Sequence, residues 1–386
     1  MYPTLSYFLK DMFGIDVPLP VQTFGLFLLL SFVGAYVTMG WELKRKEGLG
    51  LLQANTMKVV VGRKRGWDSY LWSGLLGTVI GGKLLLVIFD YSNFANSPQD
   101  YILSFNHDLL GATIGLLIGL GYNYYENSKL GEGTEQEVTM HPQDWMGLFT
   151  GWAAVIGLLG AKVFHNLENW SELVEDPMGS IFSLSGLTFY GGLICGGIAV
   201  LVLAKRKGFG LFHVMDSAAP GLMLAYGVGR MGCHLSGDGD WGLENIAPKP
   251  GWMSSLPDWM WSYNYPHNVV HMGQSIPNCT DQYCTQLVPS VFPTPFYESM
   301  MAIGMFIMLW SIRKYIKLPG LIFGIYLFVN GVERFMIEQI RVNTKSEMFG
   351  VQFTQAQLIS SLLVITGLVF SLWIVLKKNK SISPET

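Results

Sequence analysis

Two short stretches of an otherwise apolar chain carry groups able to do chemistry: GRMGCHLSGDGDWG from Gly229 to Gly242, and GVERFMIEQIR from Gly331 to Arg341. The first holds Arg230, His234, Asp238 and Asp240; the second holds Glu333, Arg334, Glu338 and Arg341. A guanidinium presents a fixed fork of donors that matches phosphate oxygens. A carboxylate beside it can hold that fork in place, or accept a proton if burial raises its pKa. In GDGDWG, Gly237, Gly239 and Gly242 permit positive φ and a tight turn, which presents Asp238 and Asp240 to a neighbouring group. Asp-x-Asp could bind a divalent cation. The pair lacks further acidic partners, so pairing with Arg230 or another cation is the favoured role and no metal is expected.

The elements that must position these groups follow from composition. In 386 residues, 50% are hydrophobic and only 14% charged, against about 25% charged in soluble domains. The chain is expected to be an all-α polytopic membrane protein, a single integral domain over residues 1–386, with no nucleic-acid partner. Apolar runs approaching the roughly 20 residues that span a bilayer occur near 21–40, 69–90, 108–124, 145–164, 187–204, 211–229, 296–314, 319–340 and 353–376. An alternating path through nine spans puts 17 of the 25 Lys and Arg on one side, and the opposite loops 91–107 and 165–186 carry none. Basic residues collect in cytoplasmic loops, so the amino terminus is expected outside and the carboxyl terminus inside. No cleavable signal peptide is expected, because MYPTLSYFLKDMFG lacks a basic run leading straight into an apolar core.

The longest loop, 230–295, then lies outside the cytoplasm, and its four tryptophans between Trp241 and Trp261 suit a cap resting on the membrane interface. Cys279 and Cys284 in that loop are either a disulfide, which an oxidising compartment permits, or two free surface thiols. Cys195 and Cys233 read as packing residues. GLLGTVIGGKLL and GLFTGWAAVIGLLGAKVF share a small, apolar run into a lysine, too low in complexity to establish duplication.

With this topology, Lys83, Lys162, Tyr190, Arg230, Glu298, Glu333, Arg334, Glu338 and Arg341 all fall in the outer halves of spans, and nothing comparable is expected at the inner halves. Arg334, Glu338 and Arg341 at i, i+4, i+7 would share one helix face, with Glu333 about 100° away. The bland alternative for any one of them is a structural ion pair. For Gly191 and Gly192, beside Tyr190, it is small-residue helix packing. Charge gathered at one depth suits an anionic lipid headgroup better.

These motifs resemble a known family. GRMGCHLSGDGDWG is similar to the prolipoprotein diacylglyceryl transferase signature G-R-x-G-N-F-x-N-x-E-x-x-G. SGLTFYGGL resembles that family's H-G-G-L segment, with GAKVFHNLENW similar to the segment before it. PTPFYES resembles P-S-Q-L-Y-E, and ERFMIEQIR resembles R-F-x-x-E-x-x-R. The likeness covers roughly 145–376 and the first span. Tyr190 stands where the family has His, Cys233 and Ser236 where it has Asn, Asn330 where it has Tyr, and Asp238 or Asp240 where it has Glu. The family has seven spans, so two extra ones near 69–124 are expected here.

The resemblance implies transfer of the diacylglyceryl group of phosphatidylglycerol to the lipobox cysteine of a prolipoprotein signal peptide. A thioether forms and glycerol 1-phosphate leaves, the first step of bacterial lipoprotein maturation at the inner membrane. The site would sit near the outer leaflet of the lipid bilayer, and no cofactor is needed. Arg230 and Arg334, with Gly191, Gly192 and Gly242, would hold the phospholipid. Asp238 and Glu338 would orient the arginines or take the thiol proton, and Tyr190 would relay it. His234, Asp240, Glu298, Arg341 and Lys162 are supporting or alternative groups. A membrane transporter, whose charges would spread toward the midplane, and another phospholipid-modifying transferase are the competing readings.

Overall fold

The structure, a computed structural model, describes every residue except 18, 20, 97–100, 102, 103, 105, 183–185, 343, 344, 349, 350 and 383–386. Apolar segments must satisfy their own backbone N–H and C=O groups in hydrocarbon, which a helix does. Each of the nine expected segments is helical: α2 (Thr23–Gly48), α3 (Trp67–Phe89), α4 (Leu109–Ser128), α5 (Met146–Glu168), α6 (Phe189–Arg206), α7 (Leu211–Ser236), α8 (Thr294–Ile312), α9 (Leu321–Ile337) and α10 (Gln355–Ile382). A short α1 (Leu5–Phe13) precedes them.

Among the described residues, six helices are long and apolar enough to cross a membrane: Thr23–Gly48, Trp67–Phe89, Pro142–Glu168, Phe189–Arg206, Thr294–Ile312 and Gln355–Lys377. Length and composition therefore carry six of the nine expected crossings. The other three helices explain the shortfall. α4 ends in the polar YNYYENS, α9 has only 17 residues and includes Glu333 and Arg334, and α7 contains Asp216, Arg230 and His234.

The chain forms two compact units: Met1, Phe24–Asn55 and Met140–Thr386 in one, Tyr2–Thr23 and Thr56–Thr139 in the other. In the second unit, α3 and α4 cross glycine against glycine. A Cβ on Gly81 would lie 2.7 Å from the Gly115 Cα, so the backbones touch where side chains would hold them apart. Lys83, expected as a membrane-depth cation, is satisfied within this unit by the Tyr101 and Asn106 carbonyls, each at 2.9 Å, and by Ser104 Oγ at 3.0 Å. The segments between α2 and α3 and between α4 and α5 contain two strands, β1 (Asn55–Val61) and β2 (Thr134–Met140), which pair as a two-stranded sheet.

In the first unit, α5 and α6 also meet through small residues. A Cβ on Gly191 would stand 2.5 Å from Phe164 Cβ and 2.7 Å from the Gly160 carbonyl oxygen, and one on Gly192 would stand 3.3 Å from the Gly157 carbonyl oxygen. Helix packing thus accounts for both glycines. Gly191→Ala is expected to cost about 1–3 kcal/mol, as overpacking a filled interface does, and to lower the midpoint of thermal unfolding in detergent. Helices α7, α8 and α9 close around Ala219, Met223, Ala302, Leu309, Ile322 and Tyr326.

Contrary to the sequence expectation, buried charge is not confined to the helix ends that carry Arg230, Glu298 and Arg334. Glu42 near the end of α2 is fully buried, accepts from Arg45 Nε at 2.8 Å and also accepts from Arg313 Nε, beyond α8, at 3.0 Å. Lys46 Nζ donates to the His213 carbonyl at 2.7 Å, and Asp216 sits one turn farther along α7. The basic residues read as loop charges are partly interior here, because a buried carboxylate and helix-end carbonyls give them partners.

The segment after α7 is an ordered cap on that helix end. Its core gathers Trp241, Tyr265, Leu287 and Val291, so Trp241 is a core residue instead of an interfacial anchor, whereas Trp252 is exposed. Strands β3 (Gln274–Ser275) and β4 (Thr285–Gln286) pair antiparallel, and Cys279 and Cys284 at their tip are disulfide-bonded. A last antiparallel pair of strands, β5 (Lys345–Met348) and β6 (Val351–Thr354), precedes α10.

Candidate functional site

Three helix ends and one turn bring the sequence-identified charges together. α7 ends at Gly237, whose φ of 65° and N–H to the Cys233 carbonyl form a left-handed cap. Gly239, at φ 100°, completes the reversal. The reversed chain returns Asp240 to the helix it has just left, where its carboxylate binds Arg230 Nη1. The chain then runs on between two others. Gly242 N–H donates to the Phe292 carbonyl, Leu243 N–H donates to the Ile340 carbonyl, and Gly242 pairs as a β-bridge with Arg341. A Cβ at Gly242 would lie 2.8 Å from Thr294 Cγ2 and 2.9 Å from Phe292 Cβ. Close backbone packing is what requires glycine there.

That bridge also corrects the helical reading of Arg341. α9 stops at Ile337, with Glu338 as its cap, so Arg334, Glu338 and Arg341 do not share one face of a continuous helix. Arg341 reaches the cluster because its backbone pairs with Gly242. From there its Nη2 binds Asp240 and its Nη1 donates to Glu298 Oε1 at 3.1 Å.

Glu298, one turn into α8, is the centre. Its Oε1 also accepts from Arg334 Nη1 at 2.9 Å, and its Oε2 forms a close ion pair with Arg230 Nε at 2.8 Å, outside hydrogen-bond geometry. One carboxylate therefore faces three guanidiniums. The Glu298 side chain is 0% exposed, against 17% for Arg230, 14% for Arg334, 10% for Arg341 and 34% for Asp240. The cluster is thus sealed behind Glu298 and open on the Asp240 side. Glu338 completes it, 3.3 Å from Arg334 Nη2 and accepting from Thr354 Oγ1 at 2.7 Å. Glu333, expected to face elsewhere than Arg334, accepts from the Tyr226 hydroxyl of α7 at 3.5 Å. Arg230 lies over the Tyr226 ring at 5.4 Å, a cation–π contact that helps hold its plane. Tyr226 precedes Arg230 by one helical turn, the one signal in the sequence that could add it to the site.

The two aspartates of the turn separate into distinct positions. Asp240 binds the arginines, whereas the Asp238 carboxylate lies against the Cys233 thiol and accepts the Asp240 N–H at 3.3 Å. Burial pushes the Asp238 carboxyl above the usual carboxylate range, outweighing the opposite pull of the Cys233 thiol. Donor atoms of Cys233, Asp238 and Asp240 lie within 4.8 Å of one another. Two guanidiniums already engage Asp240, so those positive charges oppose a cation there.

The remaining expected residues divide. Tyr190 at the start of α6 lies within electrostatic reach of Arg334. His234 does not join the arginines. It is buried, its Nδ1 is 3.1 Å from the Tyr265 hydroxyl, and Trp259, Tyr263, Tyr265 and Phe296 surround it with ring centroids 5.5–5.8 Å away. Lys162 lines a separate pocket of about 490 Å³ with His165, Glu172, Glu175 and Asp176. The arrangement can do one kind of chemistry well: hold a phosphate against preorganised guanidiniums while negative charge grows on an oxygen leaving with it.

Comparison with known proteins gives the family. Residues 110–373 match the family model described as prolipoprotein diacylglyceryl transferase. A phosphatidylglycerol–prolipoprotein diacylglyceryl transferase of Staphylococcus haemolyticus is 27% identical over 241 residues, covering 61% of this chain and 74% of the relative. Proteins of the same name from Clostridioides difficile and a bovine strain of Staphylococcus aureus are 28% and 29% identical, over 60% and 59% of this chain and 79% and 73% of their own lengths.

Proposed function

The chain belongs to the prolipoprotein diacylglyceryl transferase family, and from that premise we propose that its arginine cluster binds the phosphate of phosphatidylglycerol and transfers the diacylglyceryl group to the lipobox cysteine of a prolipoprotein. The carbon–sulfur bond forms as the bond from the glyceryl carbon to the phosphate oxygen breaks. The thiol proton goes to a base, and glycerol 1-phosphate leaves. The observation that carries this reading is the group of three guanidiniums arranged around the buried Glu298.

A guanidinium has five donors. Arg230 commits Nε and Nη1 to carboxylates, and Arg334 commits Nη1 and Nη2. Among the described residues, Arg230 Nη2 and Arg334 Nε are the nitrogens of these two guanidiniums not paired with a carboxylate, and they can bind two phosphate oxygens without breaking the network. Since the carboxylates already fix both planes, little reorganisation accompanies the growth of charge on the leaving phosphate. Asp240 and Glu338 orient the arginines. Asp238 is the proton acceptor we favour, because burial keeps it basic while the arginines pair with Asp240 and the glutamates instead. Tyr190, within electrostatic reach of Arg334, is the relay we favour, since His234 is enclosed by aromatic rings. The clustering of basic residues in alternate loops supports an amino terminus outside and a carboxyl terminus in the cytoplasm; on that topology this end of α7, α8 and α9 faces the outer leaflet, where donor lipid and signal peptide arrive laterally.

Purified enzyme, phosphatidylglycerol and a lipobox peptide test the reaction. The expected product carries diacylglycerol on the cysteine as a thioether that survives hydroxylamine, with glycerol phosphate released in equal amount. No adduct, or an adduct that hydroxylamine cleaves as a thioester, would overturn the reading. The base has its own signature. It must be deprotonated to act, so the rate falls as pH drops through the raised pKa of Asp238. Asp238→Asn should remove that acid limb and lower kcat by about 10²–10⁴, the usual contribution of a positioned base, read from kcat against pH. An unchanged acid limb would assign the proton elsewhere.

A further inference from the structure

The buried carboxylate Asp216 stands at the far end of α7 from the arginines and touches none of them. It is 3% exposed. Its Oδ2 accepts from the Gly320 N–H at 2.7 Å and its Oδ1 from the Phe323 N–H at 2.9 Å. Gly320 is the residue before α9; it has a left-handed φ of 91° and, being glycine, no side chain to cap the first-turn N–H groups of that helix. Those donors have no partner within their own helix, and the positive end of the helix dipole favours an anion there. A side chain of α7 thus supplies the cap that α9 lacks of its own.

α7 and α9 run parallel, and their side-chain contacts keep one register. Asp216 meets Gly320 and Phe323, Asn330 Nδ2 lies 3.9 Å from Met223 Sδ, and Tyr226 reaches Glu333; the sequence offsets are 104, 107, 107 and 107. Arg230 and Arg334, joined through Glu298, continue the series at 104. Asp216 precedes Arg230 by 14 residues and Gly320 precedes Arg334 by the same 14. At 1.5 Å per residue both arginines are raised roughly 21 Å above one fixed point. The two guanidiniums are level because the two helices start level.

The same end is clamped on its other sides. Lys46 of α2 holds the His213 carbonyl one turn before Asp216, and Glu42 of α2 holds Arg313 at the end of α8, the helix that carries Glu298.

We propose that Asp216 is a positioning residue for the transfer site: by capping α9 from α7 it sets the axial register in which Arg334 meets Glu298 and Arg230. The inference rests on the reading of those arginines as the donor-phosphate site. It assigns work to a charge that lies too far away to touch the lipid phosphate or the thiol.

Full-length enzyme with phosphatidylglycerol and a lipobox peptide provides the test, with rates normalised to folded protein. Asp216→Ala is expected to lower kcat by about tenfold or more, as small misplacements remote from the chemistry do, with KM for the lipid changed by less than about threefold. Asp216→Asn keeps one acceptor and should recover part of the rate; it decides the matter if Asp216→Ala does not fold. Ser217→Ala, in the same turn but bonded, among the described residues, only to the His213 carbonyl of its own helix, should keep its kcat. On an Arg334→Lys background, Asp216→Ala should cost much less than in wild type, because both changes act through one group. A capless variant with at least half the wild-type kcat, or one whose loss simply adds to that of Arg334→Lys, would overturn the proposal. Wild-type enzyme that makes no diacylglyceryl peptide would count against the transfer reading instead, and is seen before any variant is made.

Discussion

Glu298→Gln is expected to damage stability and rate together. Glutamine keeps the size of the side chain and removes the charge that three guanidiniums share, and its amide hydrogens face at least one of them. Removing one partner of a buried ion pair costs about 3–5 kcal/mol, because the remaining charge stays buried without compensation. The arginines are 10–17% exposed, so water relieves part of that cost and the lower end of the range applies. The rate should suffer more than stability. Arg230 and Arg334 lose their common anchor, and misplacement by about 1 Å is worth about 10²-fold in rate. The measurement is kcat per folded enzyme beside the unfolding midpoint. Asp240→Asn provides the contrast. Asp240 is 34% exposed and binds two of the arginines rather than all three, so its effect on both quantities should be smaller. Equal effects would mean that Glu298 is not the centre of the network.

The second large effect is expected from Arg334→Lys. The charge is conserved, but the fork is lost: an ammonium cannot span Glu298 and Glu338 and still offer a donor in a fixed plane to a phosphate oxygen. If the guanidinium acts chiefly on charge developing in the transition state, kcat falls by about 10²–10³, the cost of losing one oxyanion donor, and KM for phosphatidylglycerol moves little. A variant whose KM rises while kcat holds would make Arg334 a ground-state binding group only.

Much of this site is legible in the amino-acid sequence. Residue type and a common depth in apolar segments single out Arg230, Glu298, Arg334, Glu338 and Arg341, and the four others meet Glu298 directly or stand one contact away from it. Depth is readable because residues per span and loop charge are one-dimensional quantities. Direction around a helix beyond its end is not. The i, i+7 spacing puts Arg341 on a helix face that the chain leaves at Ile337, and a β-bridge to Gly242, set by packing against Phe292 and Thr294, brings it back. The choice between Asp238 and Asp240 is equally closed to sequence, since it depends on the φ values of Gly237 and Gly239.

The glycines beside Tyr190 show the opposite limit. Gly191 and Gly192 carry the family-like pattern, yet their local surroundings are Gly160, Phe164 and Gly157 of α5, which is packing chemistry. Spacing alone cannot separate a backbone that approaches a lipid from one that approaches a helix. The buried charges at the other end of the bundle escape a sequence reading for a related reason. Glu42, Lys46 and Arg313 lie in runs dense in basic residues, where a solvated loop is the default reading, and only the fold shows that Glu42 is enclosed.

Single-turnover transfer of the diacylglyceryl group from phosphatidylglycerol to a lipobox peptide, compared among wild type, Arg230→Ala and Arg334→Ala at equal folded concentration, tests the central claim most directly. Both variants should fall at least about 100-fold below wild type, as loss of a preorganised charge partner for the leaving phosphate requires. Either variant retaining half the wild-type rate would contradict the assignment of the donor phosphate to this arginine cluster.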